Sequence, residues 1–356
     1  MKIALYRKYR PQNFKEIKGQ DHIVSVLENE VKTGKISHAY LFSGSRGTGK
    51  TSVARIFAKT LGVNSEDIYE IDAASNRGID EIRAIRDAVH TYPYSSKYKV
   101  YIVDEVHMLT KEAWNAFLKT LEEPPEHVIF IMATTEQHKL PDTVISRCEC
   151  FSFKKPTHKI LVEEILRVTK EEKYEIEKKS ASLVAMLADG SFRDALSILQ
   201  KTMHSSEDKN LSHDEIEKVL GAPKESVVME VIEAIAEENA EKGIEAVKKA
   251  SEENADMQVF LKMILRSLRF ALLLRYSPTS QITSTGQVKD AKSIKNLIID
   301  ETGEEEFERL SKIAKTARNI NSKVLVNFLD AYSRQTYSSI PELPIELAII
   351  DSCDKK

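Results

Sequence analysis

Eight consecutive residues, Gly44-Ser45-Arg46-Gly47-Thr48-Gly49-Lys50-Thr51, carry the densest chemical signal in the chain. Glycines at that spacing let successive backbone N–H groups turn inward toward phosphate oxygens, and a helix opening at the end of the loop adds favourable potential for an anion. Lys50 is then placed to reach the β and γ phosphates of a nucleoside triphosphate, and the Thr51 hydroxyl to coordinate Mg²⁺. A chance glycine turn would lack the flanks this chemistry needs. Here an apolar run ending at Phe42 precedes the loop and a helical run from Val53 to Leu61 follows it. Further along, the run Val100-Tyr101-Ile102-Val103 ends in Asp104-Glu105. Ligands of open α/β sheets sit beyond the C-terminal ends of strands. Asp104 suits Mg²⁺ held through water, while Glu105, pointing elsewhere, suits orienting and polarising an attacking water. An acidic pair alone reads as a solvated turn; beside a P-loop it reads as the other half of a phosphoryl-transfer site. No Asn-Lys-x-Asp specificity loop of a simple GTPase is present, so ATP is the expected nucleotide.

Three further features point to an ATPase that works between subunits. The run Val128 to Met132 ends in Ala133-Thr134-Thr135, which sets a hydroxyl near a γ-phosphate. Ser146-Arg147-Cys148 precedes the last strand-like run, and Gly190-Ser191-Phe192-Arg193-Asp194 lies beyond it. Singly, each arginine reads as a surface or ion-pair residue. In this order, after a P-loop and an Asp-Glu pair, they read as the two charges that stabilise phosphoryl transfer, one in trans and one in cis.

These side chains require a particular scaffold. Short β-branched or aromatic runs at 38–42, 68–71, 99–103, 128–132 and 150–153 alternate with helical patterns, which predicts a parallel sheet with right-handed helical crossovers. After Pro156 the strand pattern stops. Residues 158–220 read as three short amphipathic helices, and a second helical stretch follows Gly221-Ala222-Pro223, interrupted by the polar segment Ser277 to Gly286. The expected plan is α/β plus all-α in three domains, 1–156, 157–220 and 221–356, without internal repeats. At 356 residues, with 42% hydrophobic composition, 12 Gly and 10 Pro, collagen, low-complexity disorder and a disulfide scaffold are excluded. No apolar run reaches the roughly 18 residues that would span a bilayer, and charges break the N-terminal stretch too early for a signal peptide. A cytoplasmic protein without a membrane partner is expected. Cys148, Cys150 and Cys353 are too few and too badly spaced for a disulfide frame or a four-ligand zinc site. The formal charge of −3 argues against a protein that coats nucleic acid, yet it hides asymmetry. Residues 1–20 hold six basic side chains against Glu16, whereas 225–256 hold ten acids against Lys242, Lys248 and Lys249. The acidic stretch reads as a solvated helix face.

The set Tyr6-Arg7-Lys8-Tyr9-Arg10-Pro11, Gly44 to Thr51, Asp104 to Leu109, Thr120-Leu121-Glu122-Glu123-Pro124-Pro125, Ala133-Thr134-Thr135, Ser146-Arg147-Cys148 and Arg193-Asp194-Ala195-Leu196 resembles the gamma/tau subunits of bacterial DNA polymerase III, the AAA+ ATPase motors of sliding-clamp loaders. The motifs run from residue 6 to 196 in family order; beyond about 220 only helical character supports the match. The resemblance implies a P-loop AAA+ domain, a small helical lid and a C-terminal helical collar that joins subunits in an open ring. It implies that Arg10 and Pro11 line an adenine pocket, that Thr135 and Arg193 are the two sensors, and that Arg147 is a finger on ATP held by a neighbour. The implied partners are delta and delta-prime type subunits, further copies of this chain, the sliding clamp and primer-template DNA. ATP binding would favour clamp opening, and hydrolysis would release the clamp on DNA. One departure stands out: family members usually carry a cysteine-rich zinc module after the P-loop helix, but here Leu61 to Asp67 leads directly to the next strand, so no zinc is expected. The long form's extension is also missing past Lys356, as in a naturally short form or a truncated one.

DNA contacts are less marked. Ala74-Ser75-Asn76-Arg77-Gly78 leads into a helix with Arg83 and Arg86, where N–H groups, Arg77 and Arg83 could meet phosphates without reading sequence. Ordinary solvated helix charges explain them equally well. Trp114 and Phe117 read as packing residues. Two rival functions use the same core: a P-loop helicase or branch-migration motor, and a silent scaffold subunit. The intact Lys50, Thr51, Asp104 and Glu105 speak against silence.

Overall fold

Five runs of β-branched and aromatic residues form one parallel sheet. They are β1 (Ala39–Ser43), β2 (Ile68–Asp72), β3 (Lys99–Asp104), β4 (Val128–Thr134) and β5 (Glu149–Ser152), ordered β2-β3-β4-β1-β5. The register pairs Ser43 with Thr134 and with Ser152, and Asp72 with Asp104, so the C-terminal ends of all five strands line one edge. The structure is a computed structural model and describes residues 3–76, 78–206, 208–276 and 291–354. It divides into two compact units, Met1–Val168 with Ala188–Gln200, and Thr169–Leu187 with Lys201–Lys356. Residues 157–220 are therefore shared between the units.

Up to Pro156 the first unit has helices α1 (Leu5–Lys8), α2 (Asp21–Thr33), α3 (Lys50–Thr60), α4 (Ile79–Ala88), α5 (Lys111–Glu122) and α6 (Asp142–Ile145). Strand alternation splits the sheet's side chains between two cores. Leu41, Tyr101, Val103, Phe130 and Met132 face Ile82 and Ile85 of α4 and Trp114, Phe117 and Leu121 of α5. Tyr40, Phe42, Val100, Ile102, Ile129 and Ile131 face Ile23 and Leu27 of α2 and Val53 and Phe57 of α3. Trp114 and Phe117 are packing residues, with Phe117 edge-on to Phe130 at 5.0 Å. Thr110 caps α5 by accepting from the Ala113 N–H, and Gly34 ends α2 in the left-handed region at φ 71°.

Among the described residues of 158–220 the chain forms four helices where the sequence pattern predicts three: α7 (His158–Glu171), α8 (Lys178–Leu187), α9 (Phe192–Ser205) and α10 (His213–Leu220). Nor is this segment free of strands. In the second unit β6 (Glu175–Ile176) pairs in parallel with β7 (Asn210–Leu211). Two residues are too short for a period-two pattern to register. Helix α10 begins with a capping box, Ser212 accepting from the Glu215 N–H while the Glu215 carboxylate returns to the Ser212 N–H. The remaining helices are α11 (Glu225–Ala236), α12 (Ala240–Glu252), α13 (Met257–Tyr276), α14 (Ala291–Thr302), α15 (Glu304–Thr316), α16 (Ser322–Gln335) and α17 (Leu343–Cys353). Val231, Ile235, Phe260, Ile264, Phe328 and Ile349 are buried, giving a helical bundle. The polar segment Ser277 to Gly286 lies outside the described residues.

Candidate functional site

At the end of β1 the chain must leave the sheet between β4 and β5 without a side chain in the way. The Gly44 N–H donates to the Thr134 carbonyl at 3.2 Å, and the Phe153 N–H donates to the Ser43 carbonyl at 2.7 Å. A Cβ on Gly44 would stand 2.6 Å from the Phe153 oxygen. At Gly47, φ is +76° and a Cβ would lie 2.0 Å from Ser191 Oγ, just before α9, while the Phe192 N–H donates to the Gly47 carbonyl at 3.1 Å. The loop is thus fitted to the start of α9 as well as to the sheet.

Lys50, 6% exposed at the start of α3, donates through Nζ to the carbonyls of Gly44 at 2.7 Å and Ser45 at 3.0 Å. Burial holds its pKa below the ordinary lysine value, with Glu105 and Asp104 pulling the other way. Thr48 Oγ1 donates to the Ser45 carbonyl at 2.9 Å. The Thr51 hydroxyl donates to Asp104 Oδ2 at 2.7 Å, so the two motifs read separately in the sequence meet side chain to side chain. Asp104 Oδ1 accepts the Glu105 N–H at 3.0 Å. Glu105 has φ 48°, left-handed and costly for a residue with a Cβ. That turn sends Asp104 and Glu105 in different directions.

The carboxylate of Glu105 meets the end of β4. Thr135 Oγ1 donates to Glu105 Oε2 at 3.0 Å. His107, which the sequence reading passed over, lies with Nδ1 3.0 Å from Thr134 Oγ1 and 3.4 Å from Glu105 Oε2, and with Nε2 3.0 Å from Glu136 Oε2. Thr134 ends β4 and Glu136 follows it, both far from His107 in the chain, so local sequence gives no signal for the cluster.

Lys50, Asp104 and Glu105 open into a cleft of 790 Å³, which Arg10, Pro11, Arg46, Gly47, Thr48, Gly49, Thr51 and Arg193 also line. Arg10 donates through Nε to Ser52 Oγ at 2.9 Å. Burial, with Arg55 nearby, lowers the Arg10 pKa, against the pull of Glu70 and Asp104. The Arg193 guanidinium stacks 5.0 Å over the ring of Tyr6, and the Leu5 N–H donates to Gln200 Oε1 at 2.8 Å. Arg167 lies 5.4 Å over Tyr9. Lys18 pairs with Glu164 at 2.8 Å; burial pulls that carboxyl up, but Arg167 and Lys18 bring it below the usual range. Three of the six basic side chains of residues 1–20, Arg7, Arg10 and Lys18, line the cleft. Sequence reasoning missed Tyr6, Tyr9, Ser52 and Arg55 as lining residues. Ser52 could have been found, since it follows the loop directly.

Arg147 is elsewhere. Its Nη2 is 2.7 Å from Glu122 Oε1 and its Nη1 donates to the Thr143 carbonyl at 2.7 Å, and it does not line this chain's own cleft. Arg83 pairs with Asp80 at 3.3 Å on the exposed side of α4, and Arg77 lies outside the described residues. Among the described residues no group of three or more His, Cys, Asp or Glu is arranged to hold a metal ion, and no helix is long and apolar enough to cross a membrane.

The strand order and the loop at its switch point define the class: a P-loop nucleotide-binding domain of the AAA+ type followed by helical segments. Family comparison agrees. The family model "DNA polymerase III, delta subunit" matches residues 19–74 and 62–157, and "DNA polymerase III clamp loader subunit, ATPase lid domain" matches 161–207. The chain is 37% identical to the DNA polymerase III subunit tau of Bacillus subtilis over 98% of its own length and 63% of that protein's. It is 36% identical to subunit tau of Escherichia coli, over 78% of this chain and 46% of that one. With subunit gamma of Buchnera aphidicola from Schizaphis graminum it shares 36% identity over 77% of this chain and 81% of the other. The chain belongs to the DNA polymerase III gamma/tau family. It spans about half to two thirds of the length of the tau relatives. A solved structure, the Thermotoga maritima RuvB Holliday junction branch migration motor, superposes with a TM-score of 0.51 at 23% identity over 64% of this chain and 80% of the other, a likeness of fold.

Proposed function

We propose that this chain is an ATP-hydrolysing motor subunit of a DNA polymerase III clamp loader. The observation that carries the reading is the 2.7 Å bond between Thr51 Oγ1 and Asp104 Oδ2, which joins the P-loop to the end of β3 inside a cleft that also holds Lys50 and Arg193. Arg10 and Pro11 border the adenine end. The loop N–H groups and Lys50 bind the triphosphate, and Lys50 gives up its carbonyl partners to do so. A hydroxyl and a carboxylate are hard oxygen donors that fit Mg²⁺, so Thr51 and Asp104 would hold it. Bound there, the ion would neutralise charge on the phosphates. Glu105 orients the attacking water, Thr135 reads the γ-phosphate position, and Arg193 neutralises charge in cis. Arg147, away from its own cleft, serves the ATP of an adjoining subunit.

In this reading the chain is organised as 1–156, 157–220 and 221–356, for nucleotide binding, lid and collar. The collar joins copies of the chain and delta and delta-prime type subunits, and the ring works on a sliding clamp and primer-template DNA in the cytoplasm. Arg83 and Arg77 are candidate phosphate contacts. Direct passage from α3 to β2 through residues 61–67, without a cysteine among them, is consistent with a site that needs no zinc.

Two variants test the site. Lys50→Ala is expected to lose nucleotide binding, read by titration with a fluorescent ATP analogue. Glu105→Gln is expected to bind ATP normally while turnover falls about a hundredfold or more. Wild-type turnover in either would overturn the assignment. A branch-migration motor would share both results, but would couple turnover to strand separation and ignore the clamp.

A further inference from the structure

The geometry points to His107 as a positioning residue that fixes the carboxylate of Glu105 for its work on water; this rests on the reading of Glu105 given above. Glu105 lies at the left-handed turn that ends β3, with φ 48°, and opens the short helical turn Val106–Met108. The turn throws the His107 ring back against the end of β4, where its side chain is 7% exposed. There the ring is held on both nitrogens. Nδ1 is 3.0 Å from Thr134 Oγ1 and 3.4 Å from Glu105 Oε2, and Nε2 is 3.0 Å from Glu136 Oε2.

The hydrogen bonds around it run in a closed path. Thr134 Oγ1 accepts the Glu136 N–H at 3.0 Å, and Thr135 Oγ1 donates to Glu105 Oε2 at 3.0 Å. One oxygen of Glu105 therefore faces two groups from the β3 and β4 ends, while the other oxygen, Oε1, is left for chemistry. A glutamate has three side-chain torsions and would otherwise sample many positions on a cleft wall. Thr135 alone offers one bond to a side chain on a strained backbone. The imidazole adds a rigid second stop, and the bond to Glu136 keeps the ring from rotating away. Glu136 is itself tied to Lys139 at 2.8 Å, a hydrogen bond that holds its carboxyl below the usual range. The loop after β4 thus reaches Glu105 through a buried ring, as well as through Thr135.

Misplacing a catalytic group by about an ångström can cost up to a hundredfold in rate without touching ground-state binding. His107→Ala is accordingly expected to slow ATP turnover at saturation by about tenfold to a hundredfold, with nucleotide affinity close to wild type. Two near-isosteric variants separate positioning from mere packing. In His107→Asn the side-chain amide stands in for Nδ1 and keeps the arm toward Glu105 and Thr134; in His107→Gln it stands in for Nε2 and keeps only the arm toward Glu136. Turnover measured in the full chain with its own copies and partner subunits is expected to recover in His107→Asn and to stay low in His107→Gln. Wild-type turnover in His107→Ala, equal turnover in the Asn and Gln variants, or loss of nucleotide binding in His107→Asn would overturn the assignment. Glu105→Gln, run beside them, separates this from the underlying reading: if that variant turns over normally, Glu105 is not the group being positioned.

Discussion

Gly47 shows how a single residue can answer to two surfaces. The phosphate loop needs its inward-turned N–H groups, and α9 needs to pass close enough for the Phe192 N–H to reach the Gly47 carbonyl. Gly47→Ala meets both a left-handed φ of +76° and Ser191 Oγ at 2.0 Å. It is expected to weaken nucleotide binding at least tenfold, and the double variant Gly47→Ala with Ser191→Gly to recover part of that loss, both read by fluorescent-nucleotide titration. No recovery would mean that the backbone conformation alone sets the requirement. The glycines, Lys50, Thr51, Asp104 and Glu105 were legible in the sequence because phosphate chemistry dictates residue type and spacing together. Ser191 behind Gly47, Tyr6 under Arg193 and His107 behind Glu105 were not. Ser191 and Tyr6 meet partners far away in the chain, and the His107 ring is set against Glu105 by Thr134 and Glu136 from beyond another strand, so nothing local to these residues reports the contact.

Among elements, the five strands follow the sequence pattern within two residues at each end, because a buried parallel strand is a dense β-branched or aromatic run bounded by breakers. The pair β6 and β7 was invisible at two residues each. The junction of α2, β1 and β5 carries a testable titration. Glu30 near the end of α2 accepts from the Tyr40 hydroxyl at 2.6 Å, and Ser37 Oγ donates to Glu149 Oε2 at 2.9 Å beside it. Burial pushes the Glu30 carboxyl up, the Tyr40 bond opposes this and Glu149 adds to it, from the ordinary 4.5 to about 7. Between those values the folded chain holds a proton that the unfolded chain has released. Stability from this group is therefore full below pH 4.5 and is lost as pH rises toward 7. Glu30→Gln keeps an acceptor for Tyr40 and removes the charge. Its melting temperature is expected to exceed wild type at pH 8 and to match it at pH 4; a lower value at pH 8 would show that the ionised carboxylate stabilises the junction.

At the scale of the whole molecule, the net charge of −3 conceals a division of labour. Of the basic N-terminal residues, Arg7, Arg10 and Lys18 line the cleft, and the acidic stretch 225–256 lies on helices α11 and α12 and their flanks. A loader shares its hold on DNA among several subunits, so no single chain needs a strongly basic surface. The helical character of the C-terminal half was legible from its periodicity; a surface for another chain is not legible in that way, because an interface is a property of two chains. Val326 and Leu329 on α16 and Leu347 on α17 are about half exposed, and Val326 and Leu329, three residues apart, share one face of their helix. Leu329→Glu is expected to lower the assembled fraction in sedimentation without shifting the melting temperature of the chain. The placement of Arg147 outside its own cleft calls for complementation: a mixture of Lys50→Ala and Arg147→Ala chains is expected to hydrolyse ATP where neither variant alone does, whereas an arginine acting in cis would leave the mixture silent. The most direct measurement of the motor itself is ATP turnover by the chain assembled with its partner subunits, with and without sliding clamp and primed DNA. A clamp-loader motor is expected to turn over several times faster when clamp and primed DNA are both present, and its Glu105→Gln form to hold the clamp open. Turnover indifferent to the clamp, and coupled instead to separation of DNA strands, would contradict it.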